Sequence, residues 1–107
     1  MGRHIEEQII KKKLSYTTLI VKISRIGEDI HITLQGGEKP HIGCVVLAVP
    51  RPSLGGNGER SSTASVINIT GHKDEMLCRQ LAEQVAAREN AVVVCCGGFH
   101  MGHITKE

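Results

Sequence analysis

The chain has 107 residues, with 13 basic and 11 acidic side chains and a net charge of +2. A balance this close to neutral, with an aromatic content of 2%, disfavours nucleic-acid binding because it offers neither a basic surface nor stacking platforms for bases. The length predicts a single domain over residues 1–107 with an aliphatic core, since the chain has one Phe, one Tyr and no Trp. Such a core favours self-association as a source of further burial.

The four cysteines, at positions 44, 78, 95 and 96, form no C-x-x-C motif. Adjacent Cys95 and Cys96 are expected on opposite faces of a strand, which places them poorly for a mutual disulfide or a shared metal. The sequence shows no apolar signal-peptide core and no apolar run long enough to span a membrane. We therefore expect a soluble, reduced, cytoplasmic protein that does not insert into membranes.

The first third of the chain predicts a hairpin. Residues 1–14 place isoleucines among charges, which is typical of a short amphipathic N-terminal helix or an ordered arm, and their basic run 11–13 is expected to be a solvated face or chain end. Residues 15–24 are rich in β-branched side chains and predict a first strand. Turn residues 25–29 separate it from a second strand, 30–35, whose apolar and polar residues alternate as in an antiparallel sheet with one covered face.

The middle of the chain predicts two further strands joined by a long loop. Residues 42–49 are almost continuously apolar, which suits a strand buried on both faces. Residues 50–62 are rich in Pro, Gly and Ser and predict a long loop. Residues 63–69 predict the fourth strand.

The last third predicts a helix and one or two more strands. Apolar residues recur every four positions from about 73 to 88, which is helical spacing. Residues 91–96 predict a fifth strand stopped by Gly97-Gly98, and the tail 99–104 adds a short strand or crosses the sheet edge. The sequence therefore predicts an α/β protein of the α+β kind, with a mostly antiparallel sheet of five to six strands and one helix packed on one face.

The predicted chain order brings several special residues to one end of the sheet. A strand–helix–strand unit joins parallel strands by a right-handed crossover, so strands 63–69 and 91–96 end at the same edge. An antiparallel strand 42–49 begins at that edge, and loop 50–62 lies at the opposite end. We expect a lysine, three histidines and six glycines at the edge where strands 63–69 and 91–96 end. They are His41, His72, Lys73 and His100, with Gly36, Gly37, Gly43, Gly71, Gly97 and Gly98.

The junction between the fourth strand and the helix is a predicted anion-binding site. A helix start presents unpaired backbone N–H groups and a positive dipole end. Lys73 is the better phosphate partner there, because the dipole biases the His72 imidazole towards its neutral form. Gly71 suits either a ligand contact or a turn that needs a positive φ.

Catalysis and metal binding have weaker support. Three histidines at one edge, with Cys95 or Cys96 as a fourth ligand, suggest a metal site. Their sequence spacings, however, match no known pattern of metal ligands. No motif ties a Ser or Cys to a His, and phosphate-loop and dinucleotide-binding motifs are missing. We therefore predict neither catalytic residues nor a metal site, and a metal-dependent hydrolase using His41, His72 and His100 is a distant alternative.

Three motifs together resemble one known family. They are Gly36-Gly37 followed by KPHIG at 39–43, then GHKDE at 71–75 at the start of a helix, then a valine-rich strand that ends in GGFH at 97–100. Over roughly residues 15–107 this pattern resembles the LpdD-like family of prenylated-flavin chaperone domains. The sequence departs from the family pattern at Gly102, where an acidic residue often stands.

The resemblance implies a non-enzymatic accessory protein that assists prenylated-FMN handling or maturation of a UbiD-type hydroxyarene decarboxylase. It also implies a fold similar to proteasome-assembly chaperones, a homodimer, and a prenylated FMN or FMN ligand. Matching positions are His41, Gly43, Gly71, His72, Lys73 and His100, and Gly97 and Gly98 would allow close approach of the ligand. An assembly chaperone or adaptor without a small ligand is the alternative.

Overall fold

A computed structural model of the chain describes residues 7–13, 18–37, 41–55, 58–69 and 73–100. They form six strands and one helix: β1 Glu7–Lys13, β2 Thr18–Ile26, β3 Asp29–Gly37, β4 Cys44–Pro52, β5 Arg60–Asn68, α1 Lys73–Glu89 and β6 Val93–His100. The strands make a single sheet in the order β1-β2-β3-β6-β4-β5. The predicted α+β class, with one helix packed against a mostly antiparallel sheet, is confirmed.

The last strand of the chain lies in the middle of this sheet. β6 pairs with β3 in parallel and with β4 in antiparallel, and all other neighbours are antiparallel. The connection from β3 to β4 therefore spans the position of β6 at the carboxyl end of that strand. Residues 41–43 belong to this connection, so they lie where the sheet's one parallel pair ends.

The sheet has a covered face and an open face. On β3 the alternation is regular: Ile30, Ile32 and Leu34 are buried, whereas the residues between them are half-buried. The register places Ile32 beside Cys95 of β6, which in turn lies beside Val46 of β4, so the buried residues share the face that α1 covers. We refer to this side as the covered face, and to the side that carries the intervening residues as the open face.

The helix packs over β4, β5 and β6 through small side chains. Cys78, Ala82 and Ala86 recur every four residues and are fully buried, whereas the larger members of the predicted apolar stripe only flank them. Small residues let the helix axis lie close to the sheet. The β5 side chains also bond to α1, since Ser62 Oγ donates to the Glu83 carbonyl oxygen at 3.0 Å and Arg60 Nε donates to the Ala87 carbonyl oxygen at 2.7 Å.

The expectation of a short helix or arm at the N-terminus is wrong for residues 7–13, which form β1. Glu7 to Lys13 pair with Ser24 to Thr18 of β2. Adjacent Ile9 and Ile10 fit a strand, in which they lie on opposite faces, and Ile10 is placed beside Val21 on the covered face. The pairing also gives the outer backbone groups of β2 a partner, which an isolated helix would not do.

The predicted loop 50–62 is shorter than expected. β4 continues to Pro52 and β5 begins at Arg60, with the Ser53 amide donating to the Glu59 carbonyl oxygen at 2.8 Å. The two prolines are tolerated in β4 because β6 reaches only to Ala48, so this part of β4 has a neighbour on one side only. Chain direction places the loop at the end of the sheet opposite residues 41–43, as predicted.

The two glycines at 97 and 98 do not stop the last strand. β6 runs through them to His100, and Leu34, Gln35, Gly36 and Gly37 of β3 pair with residues 97–100 in order. Glycine has a low strand propensity, which is why the sequence predicts a stop at this point. The predicted end of the strand is wrong because these positions lie within β6, where the close approach of β3 requires glycine, as described below.

Candidate functional site

One end of the sheet gathers the glycines and a histidine of the predicted cluster. Cys44, the first residue of β4, lies opposite Asn68 of β5 and Gly97 of β6. The Gly43 amide donates to the Gly97 carbonyl oxygen at 2.8 Å, and the Ile69 amide donates to the Gly43 carbonyl oxygen at 2.7 Å. The predicted meeting of these chain segments is therefore correct for the described residues. We refer to residues 36–37, 41–43 and 97–98 as the glycine end.

Gly97 is required by the packing of β3 against β6. Its φ of +141° lies in the region that favours glycine, and a Cβ at this position would lie 1.8 Å from the Leu34 carbonyl oxygen. At Gly36 a Cβ would lie 2.8 Å from the Thr18 carbonyl oxygen. Strand packing therefore explains both glycines without a ligand, and neither one by itself marks a binding site.

A cavity of about 480 Å³ lies on the open face beside the glycine end. Its floor comes from β2, β3 and β6, and residues of the β3–β4 connection form one wall. The lining residues are Lys22, Ser24, His31, Thr33, Leu34, Gln35, His41, Ile42, Cys96 and Gly97.

The lining combines polar side chains with apolar surface, which includes Leu34 and Ile42, and has no carboxylate. The β2–β3 register sets Lys22 beside Thr33 and Ser24 beside His31, so that hydroxyl, imidazole and ammonium groups alternate across two neighbouring strands. His41 adds a second imidazole from the connection. The cavity can therefore offer several hydrogen-bond donors and a positive charge to a ligand, with no negative charge among its lining residues.

Cys96 is the only cysteine in the cavity lining. It lies beside Thr33 on the open face and is half-buried, whereas Cys44, Cys78 and Cys95 are fully buried in the core. Burial raises the pKa of the Cys96 thiol, and the negative charge that Cys78 would carry raises it further. The thiol is therefore protonated at neutral pH and is a poor nucleophile.

Four of the predicted ligand residues lie at the glycine end. His41 and Gly97 line the cavity. Gly43 and Gly98 are buried at the same end but are not among the lining residues. The structure thus brings these four together and gives two of them access to the cavity.

The other four predicted residues fall partly or wholly outside the described structure. Gly71 and His72 are not described, so the predicted anion-binding site at the helix start is not tested. Lys73 is the first residue of α1, and His100 pairs with Gly37 at the end of β6, but their side chains are not described.

Sequence reasoning missed the residues that form the cavity floor. In the sequence, Lys22, His31, Thr33 and Gln35 are polar positions of strands and carry no motif that marks a ligand site. One signal is present: Lys22 interrupts the apolar run 19–23 at a position whose neighbour on β3, Thr33, is also polar. The register that makes those residues neighbours does not follow from spacing alone.

An aliphatic patch borders the cavity on the open face. It comprises Val45, Leu47 and Val49 of β4 with Ile67 of β5, and Val45 lies beside Cys96 of the cavity floor. Leu47 is 40% exposed, Val49 44% and Ile67 69%. Neighbouring aliphatic side chains with this much exposure are typical of an interaction surface.

The described residues give no support for a metal centre or a membrane span. No group of three or more His, Cys, Asp or Glu side chains among them could hold a metal ion. Nor does the described part of the chain contain a helix that is long and apolar enough to cross a membrane.

Comparison with known proteins identifies one family. The family model described as prenylated flavin chaperone LpdD-like domain matches residues 13–107, which is most of the chain. A comparison with curated proteins found no significant match.

Proposed function

The chain belongs to the prenylated flavin chaperone LpdD-like domain family, and from that premise we propose that it is a non-enzymatic accessory protein that holds prenylated FMN for a UbiD-type decarboxylase. The observation that carries the proposal is the open-face cavity beside the glycine end. Another cavity of about 480 Å³, beside α1, has Glu59 in its lining, whereas the open-face cavity combines this volume with hydrogen-bond donors and no carboxylate.

The size and chemistry of the cavity suit a flavin mononucleotide. Its volume of about 480 Å³ lies within the usual range for small-molecule sites. A flavin has a ring with apolar faces and polar edges, together with an anionic phosphate. The cavity has polar β2 and β3 residues on one side and the aliphatic patch on the other, so both parts of the ligand would find matching surfaces.

The lining suits holding the ligand better than transforming it. General acid–base catalysis needs a group that exchanges a proton with the substrate. No Asp or Glu lines the cavity, so neither of its two imidazoles, His31 and His41, has a carboxylate among the lining residues to orient it as a catalytic base. The raised pKa of the Cys96 thiol keeps it protonated and disfavours covalent catalysis. These features support a carrier, in agreement with the family's description as chaperones.

The ligand residues predicted from the sequence provide further contacts. His41 and Gly97 contact the ligand in the cavity, with Gly43 and Gly98 supporting them at the glycine end. Lys73, with His72 and Gly71 at the helix start, forms the alternative phosphate-binding site. His100 is a candidate contact at the end of β6. The Lys73 and His41 contributions are separable by mutation.

Anaerobic titration with FMN and prenylated FMN, each oxidised and reduced, tests the binding step. His41→Ala should weaken binding of prenylated FMN about tenfold, the effect of losing one charge-assisted or well-placed hydrogen bond. Gln84→Ala, on the exposed surface of α1, is the matched control and should bind as the wild type does. Absence of binding to every flavin form would refute a carrier role.

Reconstitution tests the delivery step. An apo decarboxylase of the UbiD type should gain activity faster with the flavin-loaded protein than with the same amount of free flavin. The His41→Ala variant should give a smaller gain at equal total flavin. Equal rates with loaded protein and free flavin would show that the chain does not assist transfer.

The aliphatic patch favours a second role, in assembly without a small ligand. A second copy of the chain, covering Leu47, Val49 and Ile67, would remove exposed aliphatic area from water, which stabilises association by about 25 cal/mol per Å² buried before entropic costs. We therefore propose a homodimer. Light scattering should give the mass of two chains, and a monomer at micromolar concentration would count against the dimer.

A further inference from the structure

We infer that Lys22 and His31 form the anion-recognition position of the open-face cavity, and that the group they bind is a phosphate monoester. The inference rests on the proposed function for the identity of the whole ligand, but the phosphate position follows from the cavity itself. It moves the phosphate from the helix start, where the sequence places it, to the floor formed by β2 and β3.

The register brings Lys22 and His31 into one small neighbourhood. Lys22 pairs with Thr33, and Ser24 pairs with His31, so Lys22 and His31 are diagonal neighbours on the same face of adjacent antiparallel strands. Side chains at diagonal positions are about 7–8 Å apart at their Cα atoms, within reach of a long lysine side chain. One oxyanion can therefore accept hydrogen bonds from both residues.

The donors on this floor have no partner within the described structure. Neither an ion pair nor a hydrogen bond is formed by the side chains of Lys22, His31, Thr33 or Gln35 among the described residues. Two arginines elsewhere do have carboxylate partners: Arg25 lies 3.5 Å from Glu89, and Arg79 lies 3.6 Å from Glu75. A group of convergent donors without partners is what an anionic ligand would satisfy.

The neighbouring strand β1 adds two basic residues and one acidic residue, Glu7 opposite Ser24, to the open face beside the floor, so the balance there is positive. Lys11 and Lys13 of β1 pair with Ile20 and Thr18, positions that alternate with the covered-face residues of β2, so both lysines lie on the open face. Both are exposed. Together with Lys22 they form a basic strip beside the cavity, which raises the local concentration of anions and speeds their encounter. This gives the basic run at 11–13 a role beyond a solvated chain end.

The number and type of donors favour phosphate over carboxylate. A carboxylate presents two oxygens in one plane, whereas a phosphate monoester presents three terminal oxygens pointing in different directions. Lys22, His31 and Thr33 approach from two strands and carry ammonium, imidazole and hydroxyl donors. Gln35 adds an amide on the same face of β3.

The test compares FMN with riboflavin, which differs only by the absence of the phosphate, and repeats the comparison with prenylated FMN and its dephosphorylated form. The wild type should bind the phosphorylated member at least about tenfold more tightly. Lys22→Gln should reduce this preference to near one, and Lys22→Arg should retain most of it. Arg88→Gln, on the exposed surface of α1 and outside both the cavity lining and the basic strip, removes one positive charge and is the matched control. Lys73→Gln tests the helix start.

A second measurement separates this inference from the proposed function. Titration of ¹⁵N-labelled protein with inorganic phosphate should shift the amide resonances of residues 22, 31 and 33, and Lys22→Gln should abolish the shifts. If no flavin binds but these shifts occur, the anion position stands and the carrier role fails. A phosphate preference that survives Lys22→Gln but disappears in Lys73→Gln would overturn the inference, as would a wild type whose resonances do not respond to phosphate.

Discussion

The covered face and the open face of this sheet are built from alternating residues of the same strands, yet they differ in what those residues contact. On β3, the side chain of Ile32 is fully buried in the core and lies beside Cys95, whereas the adjacent Thr33 lines the cavity. On β4, Val46 is fully buried and the adjacent Leu47 is 40% exposed. The covered face therefore supplies the core, and the open face keeps both polar donors and aliphatic area available for other molecules.

This difference separates stability from binding along each strand. The core is made of medium and small side chains, since Cys78, Ala82 and Ala86 fill the helix side of it. Substitutions on the covered face should change the free energy of unfolding, because each core residue has closely packed neighbours. Substitutions one position away, on the open face, should change ligand binding or association and leave folding almost unaffected.

The largest effect is expected at Gly97, where the two strands of the parallel pair meet. In Gly97→Ala the added Cβ would lie 1.8 Å from the Leu34 carbonyl oxygen, and φ would remain at an unfavourable +141°. We expect a loss of at least about 3 kcal/mol in the free energy of unfolding, since overpacking and backbone strain each contribute about 1–3 kcal/mol. Urea denaturation followed by circular dichroism measures it.

Gly27→Ala is the matched control for this substitution. Gly27 also has a positive φ, of 62°, but no atom lies within 4 Å of the position that an added Cβ would take. It should lose only the cost of the left-handed conformation, about 1–2 kcal/mol. Equal losses at the two positions would show that close strand packing is not what requires Gly97.

The next effect compares neighbours on opposite faces of β3. Ile32→Ala removes a fully buried side chain and should destabilise the fold by about 2–4 kcal/mol. Thr33→Ala, one position away, should change stability by about 0.5 kcal/mol or less because its side chain lines an open cavity. A destabilisation of similar size in both variants would contradict the division between the faces.

A smaller effect on folding, but a large one on assembly, is expected at Leu47. Leu47→Asp places a charge in the aliphatic patch, where a homodimer would bury it without a partner. Light scattering should show a monomer, while the thermal unfolding curve of the monomer should indicate an intact fold. Gln84→Asp on the outer surface of α1 is the control and should leave the mass unchanged.

The smallest effect concerns the reactivity of Cys96. Its raised pKa means that the folded protein keeps this proton at a pH where the unfolded chain loses it. Below the thiol's ordinary pKa both states hold the proton, and the stability of the fold is unaffected. As pH rises from the ordinary pKa towards the raised pKa, only the unfolded chain releases the proton, so the free energy of unfolding falls. Alkylation of Cys96 by iodoacetamide, measured by mass spectrometry, should therefore begin at a higher pH than alkylation of glutathione. A faster reaction than glutathione at pH 7 would contradict the raised pKa.

Local pattern was sufficient to predict most of the fold. Alternation over 30–35 and helical spacing over 73–88 each reflect burial on one face, which is a property of the segment itself. Chain order then predicted correctly that residues 41–43 and 97–98 meet, since crossover handedness and strand direction leave few arrangements. The motifs at 39–43, 71–75 and 97–100 predicted the family, which the match over residues 13–107 confirms.

The errors came from properties that depend on partners across the sheet. Residues 7–13 form a strand because β2 offers an unpaired edge, and β6 continues through Gly97 because β3 approaches closely there. The cavity floor was missed for the same reason. Lys22 and His31 are far enough apart in sequence that only the β2–β3 register makes them neighbours, and polarity alone could not distinguish a ligand site from a solvated face.

Protection of Cys96 tests most directly whether the open-face cavity holds the flavin. Cys96 is the only one of the four cysteines that is not fully buried, so alkylation of the folded protein reports on the cavity. Saturation with prenylated FMN at about ten times its Kd should slow alkylation of Cys96 roughly tenfold, in proportion to the unoccupied fraction. An unchanged alkylation rate at the same flavin occupancy would show that the cofactor binds elsewhere and would contradict the account.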